Sequence, residues 1–202
     1  MTRKGEQTRE RILSRAAELV VRRGFGATSV NDLVQATGVN RGSLYFHFPG
    51  KDDLGVAVLE RAKERFLSFV RDSLAGSTPG ERLDNFLRAA LEAHSSTGFV
   101  GGCLWGNTAL EMSDTDGNGR YVEVVREVFE AWSGMIREVI VEAQSCGQVR
   151  KDVSAGILAR QVIATIEGGI MQSRLIHDPS PMRECLKALR VTLELRPSNR
   201  AA

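Results

Sequence analysis

The stretch from Thr28 to Lys51, Thr-Ser-Val-Asn-Asp-Leu-Val-Gln-Ala-Thr-Gly-Val-Asn-Arg-Gly-Ser-Leu-Tyr-Phe-His-Phe-Pro-Gly-Lys, constrains this chain more than any other part of it. It spells two short helices joined by a tight turn, a helix-turn-helix. Ser29 is placed to cap the first helix and Asp32 to complete a capping box, while Val30, Leu33, Val34 and Ala36 supply an apolar side. Gly38 stops that helix. The run Thr37-Gly38-Val39-Asn40 offers a glycine for the sharp turn, an apolar residue to bury within it, and Asn40 as cap of the next helix. The second helix is expected from Arg41 to about Phe46, ending before Pro49, with Leu44 and Phe46 holding it against the first. Arg41, Ser43, Tyr45 and His47 carry donors suited to phosphates or base edges.

Helical periodicity continues on both sides, and strand signals are absent. A first helix is expected over about Thr8–Arg23, with Gly24 as its stop and Phe25 tucked into a small core. After Pro49-Gly50, the apolar positions Leu54, Val58, Leu59, Ala62, Phe66, Phe69 and Val70 read as one long helix reaching Leu74. Gly76 to Gly80 breaks the pattern, and helices follow over about Glu81–Ser95, from Gly102 or Cys103 to near Asp114–Gly119, and over about Tyr121–Ser145. Two more, about Ala155–Ile176 and Pro181–Leu195, close the chain, and Pro197 onward is expected to fray. The chain therefore reads as all-α: an N-terminal three-helix domain over 1–51 and a C-terminal helical domain over 52–202.

Charge divides the chain at the same place. Of the net +2, residues 1–51 contribute nine Lys/Arg against four Asp/Glu, and the remainder eighteen against twenty-one. A basic end carrying a helix-turn-helix suits a polyanion, and the mildly acidic remainder should stay away from it. The N-terminus lacks the apolar core of a signal peptide, and the least charged stretch, Ser95 to Leu110, is too polar and Gly-rich to span a bilayer, so a cytoplasmic location with no membrane association is expected. Three widely spaced cysteines, Cys103, Cys146 and Cys185, argue against a disulfide framework or a zinc cluster. No cofactor or metal is expected.

The string from Thr28 to Lys51 resembles the tetracycline-repressor (TetR) family, whose DNA-binding domain follows Thr-Ser/Thr-Val-x-Asp-Leu/Ile, then Gly-Val-x-x-Gly-x-Leu-Tyr-x-His-Phe-x-x-Lys. Gly42, Leu44, Tyr45, His47, Phe48 and Lys51 all match. The resemblance implies a double-stranded DNA operator as partner, a helix after Lys51 that bridges to a ligand-binding and dimerisation domain, and a homodimer built on the two C-terminal helices. It also implies phosphate-side contacts from Thr28, Tyr45, His47 and Lys51. From the residues themselves, Arg41 is the candidate for a bidentate contact to guanine, Gly42 for close backbone approach, and Ser43 for a base or phosphate. Arg3, Lys4 and Arg9 are candidates for an arm along the duplex. The C-terminal apolar positions Ile157, Val162, Ile166, Gly169, Ile170, Met182, Leu186, Leu189 and Leu193 serve either the dimer interface or the core of one chain.

Gly101-Gly-Cys-Leu-Trp-Gly-Asn-Thr-Ala-Leu-Glu111 is the second constellation, and it resembles a Gly-Cys-Leu-x-Gly-Asn segment of a TetR subgroup in which some members sense electrophiles or oxidants. A thiol in the first turn of a helix meets unpaired N–H groups that favour the thiolate, so Cys103 is either a sensor or a small buried apolar residue. Trp105, Asn107, Glu111 and Trp132 complete the candidate effector set, the aromatic groups as walls of a small-molecule site and the polar groups as its anchors. The function expected is a dimeric transcriptional regulator, a repressor or an activator, released from a palindromic operator by a small-molecule effector or by modification of Cys103. The alternatives are a thiol-dependent enzyme around Cys103 and His94, or a small-molecule carrier that acts without DNA. No nucleophile elbow, zinc-protease motif or phosphate loop supports an enzyme.

Overall fold

The computed structural model describes residues 3–113 and 119–197. They form α1 (Arg3–Arg23), α2 (Val30–Thr37), α3 (Arg41–His47), α4 (Lys51–Ser73), α5 (Pro79–Ser95), α6 (Leu104–Met112), α7 (Gly119–Ser145), α8 (Ala155–Ile176) and α9 (Ser180–Leu193), with no strand among the described residues. The expected turn at Asp114–Gly119 lies almost wholly outside the described residues, as does the expected fraying beyond Pro197. No described helix is long and apolar enough to cross a membrane. Helix α1 begins five residues ahead of the sequence expectation, since Arg3 to Gln7 need no core contact to extend a helix nucleated by Ile12, Leu13 and Ala16.

The chain divides into two compact units: Met1–Arg65 with Cys103–Glu127, and Phe66–Gly102 with Val128–Ala202. In the first, the helix-turn-helix is fixed by its own caps. Ser29 Oγ accepts the Asp32 N–H at 3.1 Å, and Asp32 Oδ2 accepts the Ser29 N–H at 2.8 Å, a complete capping box. These Ser29 bonds hold the Asp32 carboxyl below its ordinary range. Gly38 takes the left-handed backbone (φ 66°) that a side chain would disfavour, and its N–H closes on the Val34 carbonyl at 3.1 Å. Asn40 Oδ1 accepts the Ser43 N–H at 2.7 Å and so opens α3.

Helix α4 packs beside α1 in the same unit, where Arg61 reaches Glu10 at 3.1 Å and Ser14 at 2.8 Å. The start of α7 belongs here too. The Tyr121 ring meets Phe25 edge-on at 5.1 Å, and its hydroxyl donates to Asp52 Oδ1 at 3.2 Å. Burial, reinforced by the Asp52 charge, raises the Tyr121 pKa far above the usual phenol value. A Cβ on Gly55 would lie 2.2 Å from that hydroxyl, so the contact requires glycine. The sequence division after residue 51 thus falls inside this unit.

The second unit contains the end of α4, α5, most of α7, and the α8–α9 pair. Thr78 caps α5 with Pro79 in its first turn. Gly169 lets α8 approach α9 closely, since a Cβ there would meet the Met182 Cα at 3.1 Å. Ser173 Oγ accepts the Met182 N–H at 3.0 Å, satisfying an otherwise orphan donor of the first turn of α9. Of the C-terminal apolar positions expected to serve either a dimer interface or the core of one chain, most face inward. Val162, Ile166, Gly169, Ile170, Met182, Leu186, Leu189 and Leu193 are all buried within one chain, and of that set Ile157 alone is strongly exposed, at 60 %.

Candidate nucleic-acid interface and sensing helix

The exposed side of α3 follows from what the helix buries. Leu44 and Phe48 are each 3 % exposed, so they seat the helix on its neighbours. Phe46, expected to share that task, is instead 78 % exposed. The buried ring comes from the residue after the helix, Phe48, the C-cap with extended backbone. Arg9 lies over the Phe48 ring, 5.1 Å from its centroid, so this member of the expected basic arm is part of the domain.

Arg41 and Gly42 are exposed, Ser43 half-buried, and Tyr45 exposed, all within α3. Arg41 Nη2 donates to Asn31 Oδ1 at 2.8 Å, so Asn31 on α2 fixes where the guanidinium starts from. Sequence reasoning passed over Asn31, whose exposed position in α2 gave no sign of a partner ten residues away. Lys51 opens α4 and forms no ion pair among the described residues. His47 is half-buried, with Nδ1 enclosed and lacking a hydrogen-bond partner among the described residues, which leaves Nε2 as the nitrogen that can serve a phosphate.

Thr28 departs from expectation. It is buried, and its hydroxyl donates to the Gly24 carbonyl at 2.6 Å. Its one side-chain donor therefore holds the turn between α1 and α2 in place of a phosphate.

Glu111 departs further. On α6, its carboxylate accepts the Phe25 N–H at 3.1 Å on Oε2 and the Gly26 N–H on Oε1, gripping the turn that leads into the helix-turn-helix. The glycines make room, for a Cβ on Gly24 or Gly26 would come within 2.9 Å or 2.8 Å of the carboxylate oxygens. Glu111 was expected as an effector anchor; both of its oxygens are committed to the backbone of the DNA-binding end. Nothing local in the sequence encodes a bond whose partner is a main-chain N–H eighty-five residues away.

The opening of α6 is largely enclosed, although Leu110 further along is exposed. Cys103 is its N-cap, 7 % exposed, and its side chain makes no capping hydrogen bond. Cys146 is exposed and Cys185 half-buried, so Cys103 is the least accessible of the three. Trp105 is buried and Asn107 half-buried.

In the second unit, Trp132 is 2 % exposed, with the Phe66 ring edge-on at 5.1 Å and Phe129 at 5.8 Å. Its Nε1 donor has no hydrogen-bond partner among the described residues. Phe99 is buried with left-handed backbone (φ 59°) and stacks on His94, ring centroids 6.2 Å apart. Desolvation holds the His94 imidazole below its ordinary pKa, so it is neutral at neutral pH.

Comparison with known proteins agrees with this geometry. The family model for bacterial regulatory proteins of the tetR family matches residues 12–58, and that for the tetracyclin repressor-like C-terminal domain matches residues 79–189. The chain is 28% identical to the HTH-type transcriptional repressor DhaR of Mycobacterium sp. (strain GP1), over 88% of each protein. It is 30% identical to the transcriptional regulator AcuR of Cereibacter sphaeroides, over 85% of this chain and 78% of that one. Among solved structures, a TetR transcriptional regulator from Chloroflexus aurantiacus superimposes with a TM-score of 0.85 at 33% identity, covering 96% of this chain and 97% of the other. With a capped helix-turn-helix, an exposed basic recognition helix, and family matches at both ends, the chain belongs to the TetR family of DNA-binding transcriptional regulators.

Proposed function

We propose that this protein is a homodimeric repressor that binds a palindromic operator and releases it when a small molecule binds. The observation that carries the reading is the outer side of α3: Arg41, Gly42 and Tyr45 stand exposed while Leu44 and Phe48 lock the helix to the domain. Arg41 reads guanine, Gly42 allows close approach, and Ser43 contacts a base or phosphate. Tyr45, His47 and Lys51 hold the duplex backbone. Such a protein works where the DNA is, in the cytoplasm. DhaR's name as a repressor supports that sign of regulation.

An exposed stripe supports the dimer. Ile157, Gln161, Ala164, Gly168, Met171 and Leu175 recur along α8 at alternating spacings of four and three, the seam of a coiled coil. Met171 and Leu175 are 65 % and 82 % exposed, and Gly168 has open space where a Cβ would stand. Val191 on α9 is 74 % exposed. One recognition helix reads half a site, so the second copy that this stripe would bury is the one the DNA requires.

For release, Glu111 supports a route through α6. Any occupant that shifts α6 pulls on the Phe25–Gly26 turn, and the effector needs only a higher affinity for the shifted state. Trp132, with its unsatisfied buried donor, suits an apolar effector bearing a hydrogen-bond acceptor. The burial of Cys103 favours reversible binding over covalent sensing of the kind its Gly-Cys-Leu-Trp-Gly-Asn segment suggested.

The test uses a duplex selected by the full-length protein from a random-sequence pool. Arg41→Ala should lose roughly 1–3 kcal/mol per half-site and relax preference at one base pair. Lys51→Ala should weaken all sequences alike and flatten the salt slope by about one unit per copy. If neither change alters binding, α3 is not the reader. Cys103→Ser should still release DNA to the effector, and loss of release in that variant would restore the thiol mechanism.

A further inference from the structure

We propose that Phe46 is a specificity residue of this repressor, reading the C5-methyl group of thymine in the major groove. The inference rests on the DNA-binding role proposed above and adds a base preference to it.

Phe46 is 78 % exposed, the most exposed Phe, Tyr or Trp ring among the described residues, on a helix of seven residues. Two positions along a 3.6-residue helix is a little over half a turn, so Phe46 stands opposite Leu44, the residue that seats α3 on its domain. It therefore projects away from the core, on the side that a groove must receive. Four residues earlier on the same side is Gly42. A Cβ built there meets only the Asn40 side chain, at 3.5 Å, so nothing on that turn stands beside the ring. The ring is also oriented, meeting His47 edge-on with centroids 5.2 Å apart and an interplanar angle of 82°.

Chemistry selects the target. A phenyl ring has neither donor nor acceptor, so it cannot pair with the hydrogen-bonding edges that Arg41 or Ser43 can address. It also gains nothing from a hydrated phosphate. The one apolar feature that the major groove displays is the thymine methyl, and covering it removes apolar surface from water on both partners. An exposed phenylalanine on a recognition helix is thus accounted for by a thymine within each half-site, close to the base pair contacted by Arg41.

The experiment replaces each thymine of the selected duplex, one at a time, by deoxyuridine, which keeps every hydrogen bond and removes only the methyl. Fluorescence anisotropy with the intact protein should show about a fourfold loss of affinity at one thymine per half-site, the factor matching ~0.8 kcal/mol for one buried methyl-sized group. Phe46→Ala should bind the thymine and deoxyuridine duplexes equally at that position, with a melting temperature close to the parent's. Indifference of the parent protein to every replacement overturns the proposal. So does a methyl dependence that survives Phe46→Ala, or a selected half-site without thymine. If selection yields no preferred sequence at all, the DNA-binding reading fails and this one falls with it, a result distinct from specific binding that ignores the methyl.

Discussion

Glu111 is the side chain whose removal should be felt furthest from where it sits. In Glu111→Gln one carboxylate oxygen becomes an NH2 group, so one of the two donors, the Phe25 or the Gly26 N–H, then faces another donor. The surviving bond loses its charge assistance, and bonds to charged groups are worth roughly 1.5–3 kcal/mol against about 0.5–1.5 kcal/mol for neutral ones. The local loss is about 1.5–3 kcal/mol. Amide exchange is the direct assay: the Phe25 and Gly26 N–H groups should exchange roughly ten- to a hundredfold faster in the variant, while the Gly38 N–H, bonded within its own helix cap, should not change. The same loss should lower the melting temperature of a chain of this size by roughly 3–10 °C. Operator affinity should fall by no more than the factor of exchange, because a grip can bias an equilibrium only by its own free energy. Unchanged exchange at Phe25 and Gly26 would show that the carboxylate does not hold this turn, and the route through α6 would be lost.

Leu175→Asp should dissociate the dimer, since each copy loses about 1.5–3 kcal/mol of apolar burial and an isologous interface counts it twice, raising the dimer dissociation constant roughly a hundred- to ten-thousandfold. Sedimentation velocity at micromolar concentration checks this, and an unaltered dimer would place the interface elsewhere. His94 gives a pH signature. Its folded pKa lies below the ordinary value near 6.5 because burial disfavours the imidazolium, so the unfolded chain binds more protons there. Stability should therefore be full above about pH 7 and decline as pH falls below ~6.5. Melting curves between pH 5 and 8 should show a shallower acid decline for His94→Gln, and identical slopes would refute the assignment.

The helix-turn-helix was legible because its determinants are local. Ser29, Asp32, Gly38 and Asn40 each act on backbone groups within four residues, and each does so in the structure as the spacing predicts. Phe48, four residues after Leu44, takes the packing side and Phe46 stands opposite; the spacing carries this, but a helix end expected at about Phe46 leaves Phe48 outside the pattern. The bonds of Thr28 and Glu111 to the turn after α1 were not legible, because their partners are carbonyl and amide groups of the backbone, which have no sequence signature. The C-terminal helices were found in place, but sequence could not separate the side facing the chain's own core from the stripe left outside. Gly168 and Gly169 are adjacent, and one faces open space while the other admits Met182.

The central claim is that two copies of α3 read one inverted repeat. Hydroxyl-radical footprinting of the intact protein on its selected duplex tests it most directly. The account predicts two symmetric protected patches on one face of the DNA, centred about 34–36 Å apart or a multiple of that distance, and both lost together in Arg41→Ala. A single protected patch, or even protection along the whole duplex, would contradict it.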